Sequence, residues 1–177
     1  MERGGLMHIQ CTKKLLEFIK PAITEKDTDN DLYAWHANYI TNNRRKLLVV
    51  MNDISRFTLV FYGIKKRDFK KTHVWFITAM YNSMRASGFS DEDIMRYLDG
   101  MPEEFTFNKT KNRTLVARMN KALEVAEWGC QDEGVYEDIL DQPHVSKFCN
   151  QYIMCENNYK VCYYPKDKLK EYIDLLS

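Results

Sequence analysis

Apolar and polar positions alternate most clearly between Tyr33 and Gly63, and the remaining elements are read outward from there. Trp35 to Thr41 alternates large apolar with polar residues. Arg44 to Met51 ends in the run LLVVM, and Arg56 to Tyr62 is β-branched and aromatic. Runs of this length between polar turns predict three antiparallel strands. Asn42-Asn43 fits a two-residue hairpin turn, and Asn52 to Ser55 a four-residue one. With Thr41 opposite Arg44, Trp35 pairs with Val50, Ala37 with Leu48 and Tyr39 with Lys46. With Met51 opposite Arg56, Val50 pairs with Phe57 and Leu48 with Leu59. One face then carries Trp35, Ala37, Tyr39, Leu48, Val50, Phe57, Leu59 and Phe61, a core face. The other is mixed, with His36, Asn38, Arg45, Arg56, Thr58 and Tyr62 around Leu47, Val49, Met51 and Val60.

The flanking pattern adds helices. Met7 to Gln10 reads as a short strand, and Thr12 caps a helix through Ile19, stopped by Pro21. Thr24 to Asp31 reads as an acidic loop, and MERGGL as an extension ahead of Met7. Thr72 to Ala86 has helical spacing through Val74, Ile77, Ala79, Met80, Tyr81 and Met84, with Gly88 ending it. Ser90 caps a second helix that Gly100 and Pro102 close. Glu104 to Thr110 alternates as a further strand, and Asn112 or Thr114 caps a helix to about Trp128. Beyond Gly129, Tyr136 to Leu140 reads as a helical turn. A hairpin about Asn157-Asn158 and a helix over Lys166 to Leu175 follow. The fold class is α+β: a mainly antiparallel sheet with a central three-strand meander and helices packed on it. The expected organisation is a single domain over 1–177, in which 129–177 pairs with the main sheet or forms a small attached unit.

The net charge of +1 conceals segregation. Nine Lys/Arg lie between Asn42 and Lys71 against Asp53 and Asp68, and five between Asn108 and Lys121 with no acid. Acids dominate Asp91 to Glu104 and Gln131 to Asp141. Such basic segments suit nucleic acid or an acidic protein surface, or are solvated loop ends balanced by the acids. The candidate binding residues are Asn38, Arg44, Arg45, Lys46, Arg56, Tyr62, Lys65, Lys66, Arg67 and Arg113. Arg113 sits at a predicted helix start, where backbone N–H groups favour anions.

Five Cys, an odd number, suggest reduced thiols and a cytoplasmic setting. No apolar run reaches the roughly 20 residues of a membrane helix, so no membrane partner is expected. The cysteines and the four His lack metal-ligand spacing, and the seven Gly are dispersed, with no phosphate loop. No metal or cofactor is predicted. His36 with Arg45, Arg56 and Tyr62 could support metal-independent phosphodiester cleavage, His36 acting as base and arginine holding phosphate, or a nucleotide-binding enzyme built on His36, Arg45 and Tyr62. The competing reading is a covered sheet face with His36 hydrogen-bonded inside it.

The segments CTKKLL at 11–16, WHAN at 35–38, NRRK at 43–46, ND at 52–53, YG at 62–63 and FTFNKTKNR at 105–113 resemble an uncharacterised bacterial domain-of-unknown-function family, over most of 7–128. The resemblance implies no activity. It does imply occurrence on chromosomes and mobile elements. A mobile-element origin makes an inhibitor of host defence, such as an anti-CRISPR protein, one form of the interaction reading. The functional expectation is a non-enzymatic module that binds nucleic acid or a nucleoprotein complex, a host defence protein included, through a basic edge.

Overall fold

A computed structural model describes residues 5–24 and 30–176. The expectations for the MERGGL extension and for the loop between Thr24 and Asp31 therefore fall largely outside the described residues. Five strands form one sheet: β1 (Leu6–Cys11), β2 (Ala34–Asn42), β3 (Arg45–Asn52), β4 (Thr58–Tyr62) and β5 (Glu104–Lys109). Their order is β4-β3-β2-β1-β5. The β2–β3 and β3–β4 pairings are antiparallel, while β1 pairs in parallel with both β2 and β5. The sheet is thus mixed. The three consecutive strands occupy one side of it, and β1 is inserted between β2 and β5 (the expected meander is not its centre).

Both hairpin turns lie one residue later than the sequence pattern suggests. Asn42 pairs with Arg45, and Asn43 and Arg44 adopt φ of 47° and 66°. Two consecutive left-handed residues match the right-handed twist of a hairpin, and Asn43 tolerates that conformation well. The next loop is Asp53 to Arg56, closed by Asn52 N–H on the Phe57 carbonyl at 2.8 Å, with Arg56 at φ 62°. Each pairing therefore moves by two residues: Ala37 faces Val50, and Val50 faces Leu59. A shift of two preserves the faces, because side chains alternate with period two.

The predicted core face is buried beneath α1 (Lys13–Ile19), α2 (Thr72–Ala86), α3 (Asp91–Gly100) and α6 (Pro165–Asp174), which contribute Leu15, Phe76, Met80, Ile94, Leu169 and Ile173. Trp35 meets Phe76 edge-on at 5.0 Å and Phe61 meets Trp75 at 4.7 Å between centroids. On α2 the buried stripe is Trp75, Phe76, Ala79, Met80 and Met84, while Val74 and Ile77 face solvent. The two large aromatic rings set the helix rotation, because they bury the most area.

The mixed face is covered too. Helices α4 (Arg113–Glu133) and α5 (Pro143–Asn150) lay Met119, Leu123, Val125, Ala126, Val145 and Cys149 over Leu47, Val49, Met51 and Val60. Helix α4 continues past Trp128 through Gly129, which lets α5 approach closely; a Cβ there would lie 2.9 Å from Phe148 Cδ1 and 3.1 Å from Val145 Cγ1. Residues 134–142 form a turn and an extended stretch rather than a helical turn.

That stretch and α5 close the β4 edge. Tyr62 N–H donates to the Leu140 carbonyl, Gln142 N–H to the Val60 carbonyl, and Val60 N–H to Ser146 Oγ. Asn150 brackets Thr58, accepting its N–H at 2.7 Å and donating to its carbonyl at 3.0 Å. An edge strand satisfied in this way offers no template for another chain. A small hairpin, β6 (Met154–Glu156) and β7 (Val161–Tyr163), follows α5. Its turn is Asn157 to Lys160 rather than the two asparagines alone, so Cys155 faces Cys162, and the two form a disulfide. The expectation of five reduced thiols is corrected here: three cysteines are free, and all three are buried.

Candidate functional site

The topology gathers charge. Strands β1, β2, β4 and β5 end, and β3 begins, at the same end of the sheet. Lys13 and Lys14 follow β1; Arg44 lies in the β2–β3 turn, with Arg45 and Lys46 opening β3; Lys65, Lys66 and Arg67 follow β4; Lys109, Lys111 and Arg113 lead from β5 into α4. The opposite end carries Asp31, Asp53, Glu103 and Glu104 among the described residues, with Arg56 buried there. Basic segments far apart in sequence thus become one edge.

A cleft of about 540 Å³ opens in this edge, lined by Arg44, Arg45, Lys46, Tyr62, Lys65 and Arg67, with Asp68 and the Glu137 to Leu140 stretch opposite. Its walls are fixed locally. Gly63, at φ 78°, donates its N–H to the Lys46 carbonyl and turns the chain away from β4. Only a residue free of a Cβ adopts that conformation without strain. The Asp68 carboxylate accepts the Lys65 N–H at 2.7 Å, capping a 3-10 segment over Lys66–Lys71. Buried Tyr62 donates its hydroxyl to the Asn42 carbonyl at 3.2 Å and so holds the β2–β3 turn.

The cations are not equivalent. Arg45 lies over the Tyr62 ring at 5.9 Å, donates to the Glu137 carbonyl at 2.5 Å and pairs with its carboxylate at 3.6 Å. Lys46 lies 4.6 Å from the Phe18 ring centroid. Arg44, Lys65 and Arg67 are exposed at the rim, and exposed Lys66 lies outside the cleft lining. At the start of α4, Asn112 accepts the N–H groups of Thr114 and Leu115, so part of that helix end is already satisfied beside Arg113.

Three residues from the sequence reading sit elsewhere. His36 is 0% exposed and its Nδ1 lies 2.7 Å from Asp53 Oδ1. It is enclosed between sheet and helix, without access for a substrate. Asn38 is half-buried, accepting from Thr12 Oγ1 at 2.8 Å and donating to Asn120 at 3.3 Å. Arg56 is 4% exposed at the far end of the sheet. Burial lowers its pKa, opposed by the Tyr163 hydroxyl and Glu156. Glu156 in turn accepts from Tyr163 at 2.5 Å and pairs with Arg118 at 2.9 Å, a cluster that ties the β6–β7 hairpin to the sheet. Tyr163 is pushed up to about 12, by burial first and then by Glu156.

Glu137 and Asp138, which bring acid to the basic cleft, and Lys20 and Lys70 beside it are not among the residues that the sequence pattern singles out. The acidic run over 131–141 was visible, but its return along β4 had no local signature. Among the described residues, no group of three or more His, Cys, Asp or Glu side chains is placed to hold a metal ion. No helix among them is long and apolar enough to cross a membrane.

A family model described as a domain of unknown function, DUF6933, matches residues 8–168. The match runs through α4, α5 and the β6–β7 hairpin as well as the sheet. No curated protein and no solved structure matches the chain.

Proposed function

The chain belongs to the DUF6933 family, and from that premise we propose that it is a binding module, not a catalyst, that engages nucleic acid or a nucleoprotein through its basic edge. One observation carries this reading: four separate basic segments converge on one end of the sheet, and two of them, at the β2–β3 turn and after β4, line a cleft of about 540 Å³. Neutralising phosphates with Lys and Arg releases condensed counterions, so such an edge gains sequence-independent affinity. A nucleoprotein of a host defence system, should the chain act as an inhibitor, would offer the same phosphates. The enclosure of His36 weighs against the phosphodiesterase alternative, since a general base must reach the proton it removes.

The test is direct binding of mixed-sequence nucleic acid at low salt. Arg45 is held by Glu137, so the pair to remove is Arg44 and Lys65. Binding that survives His36→Gln and weakens with Arg44→Ala/Lys65→Ala supports the module. Strand cleavage that disappears in a folded His36→Gln variant would replace it with the catalytic reading.

A further inference from the structure

Beside the main cleft lies a second groove of about 530 Å³ with a different chemistry. Ile19, Pro21, Phe69 and Phe107 form its floor, and Lys20, Lys66, Arg67 and Lys70 its rim, with no carboxylate among the described lining residues. Phe69 and Phe107 are half-buried, with ring centroids 6.3 Å apart at 66°. The groove is assembled from α1, the 3-10 segment and β5. Lys20, at φ 48°, ends α1 in a left-handed conformation that turns the chain towards β5. There Ile23 bridges Phe107 and Thr24 N–H donates to the Phe107 carbonyl at 3.1 Å. Arg67 lines this groove, the main cleft and a third hollow against Trp75.

An apolar aromatic floor under a cationic rim fits a ligand with a flat apolar body and anionic groups. A nucleotide unit has both. In a duplex the base faces are stacked within the helix, so a duplex offers the edge its phosphates but gives the groove nothing to fill it. We infer that the groove takes an unpaired base, and that the nucleic acid recognised is single-stranded, its backbone running from the Arg44 cleft past Arg67 to Lys20 and Lys70. This rests on the basic-edge reading and names its substrate class. The passage of Arg67 between clefts favours a strand over a free nucleotide.

The experiment is fluorescence anisotropy with four labelled probes: a single-stranded oligonucleotide, its duplex, the same strand made abasic, and a nucleoside monophosphate. The abasic strand keeps every phosphate and loses only the bases. Base–aromatic stacking predicts about tenfold tighter binding of the intact strand than of the abasic one. A comparable preference over the duplex is expected, and Lys20→Gln/Lys70→Gln should weaken the single strand more than the duplex. Equal binding of intact strand, abasic strand and duplex would overturn the groove assignment and leave the basic edge standing. The monophosphate binding as tightly as the strand would assign the groove to a free nucleotide and overturn the polymer. No binding of any probe at low salt would remove the basic-edge reading and this inference together.

Discussion

Replacing Asn150 with leucine isolates how the sheet edge is closed. Asn150 is 0% exposed and Thr58 1%, and both polar ends of the Asn150 amide are spent on the Thr58 backbone. The amide thus substitutes for the neighbouring strand that β4 lacks on that side. Leucine is of similar size and leaves little cavity, but it strands one N–H and one carbonyl away from water. Each stranded group costs about 1–3 kcal/mol, so the expected loss is about 2–6 kcal/mol. That is a large share of the roughly 5–15 kcal/mol that holds a domain folded. Ser146→Ala frees a single donor, Val60 N–H, and should cost about half as much. The assay is urea unfolding followed by the fluorescence of the three Trp, checked for coincidence with far-UV circular dichroism. A folded Asn150→Leu variant within about 0.5 kcal/mol of wild type, the ordinary range of a surface substitution, would refute the reasoning.

Three further outcomes follow from the same contacts. Cys155→Ser/Cys162→Ser should lower stability by about 2 kcal/mol, the loop-entropy value for so short a ring; unfolded chain should take up three alkylating labels before reduction and five after it, as mass spectrometry would show. Burial raises the Asp141 pKa, so the folded state retains a proton that the unfolded state has lost. Stability should therefore fall as pH rises from the ordinary carboxylate value through the raised one, and Asp141→Asn should flatten that step in pH-dependent urea unfolding. Gly129→Ala should cost about 1–3 kcal/mol by overpacking α4 against α5, and a thermal melt unchanged from wild type would show that the helices have room to yield.

The faces of the hairpin strands were legible because alternation survives a register error of two. The turns were placed one residue early because Asn42-Asn43 looks the better turn pair, whereas the chain uses Asn43 and Arg44 in the left-handed region. The helices capped by Thr12, Ser90 and Asn112 begin where those caps predict, since capping is local chemistry. What could not be read was long-range. The parallel pairing of His8 with Thr106 joins strands far apart in the chain, and the closure of β4 depends on Gln142, Ser146 and Asn150, which look like ordinary helix polar residues. The site divided along the same line. Arg44, Arg45, Lys46, Tyr62, Lys65 and Arg67 meet in one cleft because two successive turns bring them there. Arg56, on the turn at the opposite end, was misgrouped by charge alone, and Lys20 and Lys70 emerged only once α1 packed beside the 3-10 segment.

The central claim concerns the basic edge, and the salt dependence of nucleic-acid binding tests it most directly. Log affinity against log salt should fall with a slope of about −0.7 to −0.9 per phosphate neutralised. Removing Arg44, Lys65 and Lys66 should reduce the magnitude of that slope by about 2–3, whereas removing exposed Lys160 on the β6–β7 hairpin should leave it unchanged. Salt-independent binding, or a slope that the triple substitution does not alter, would contradict the account.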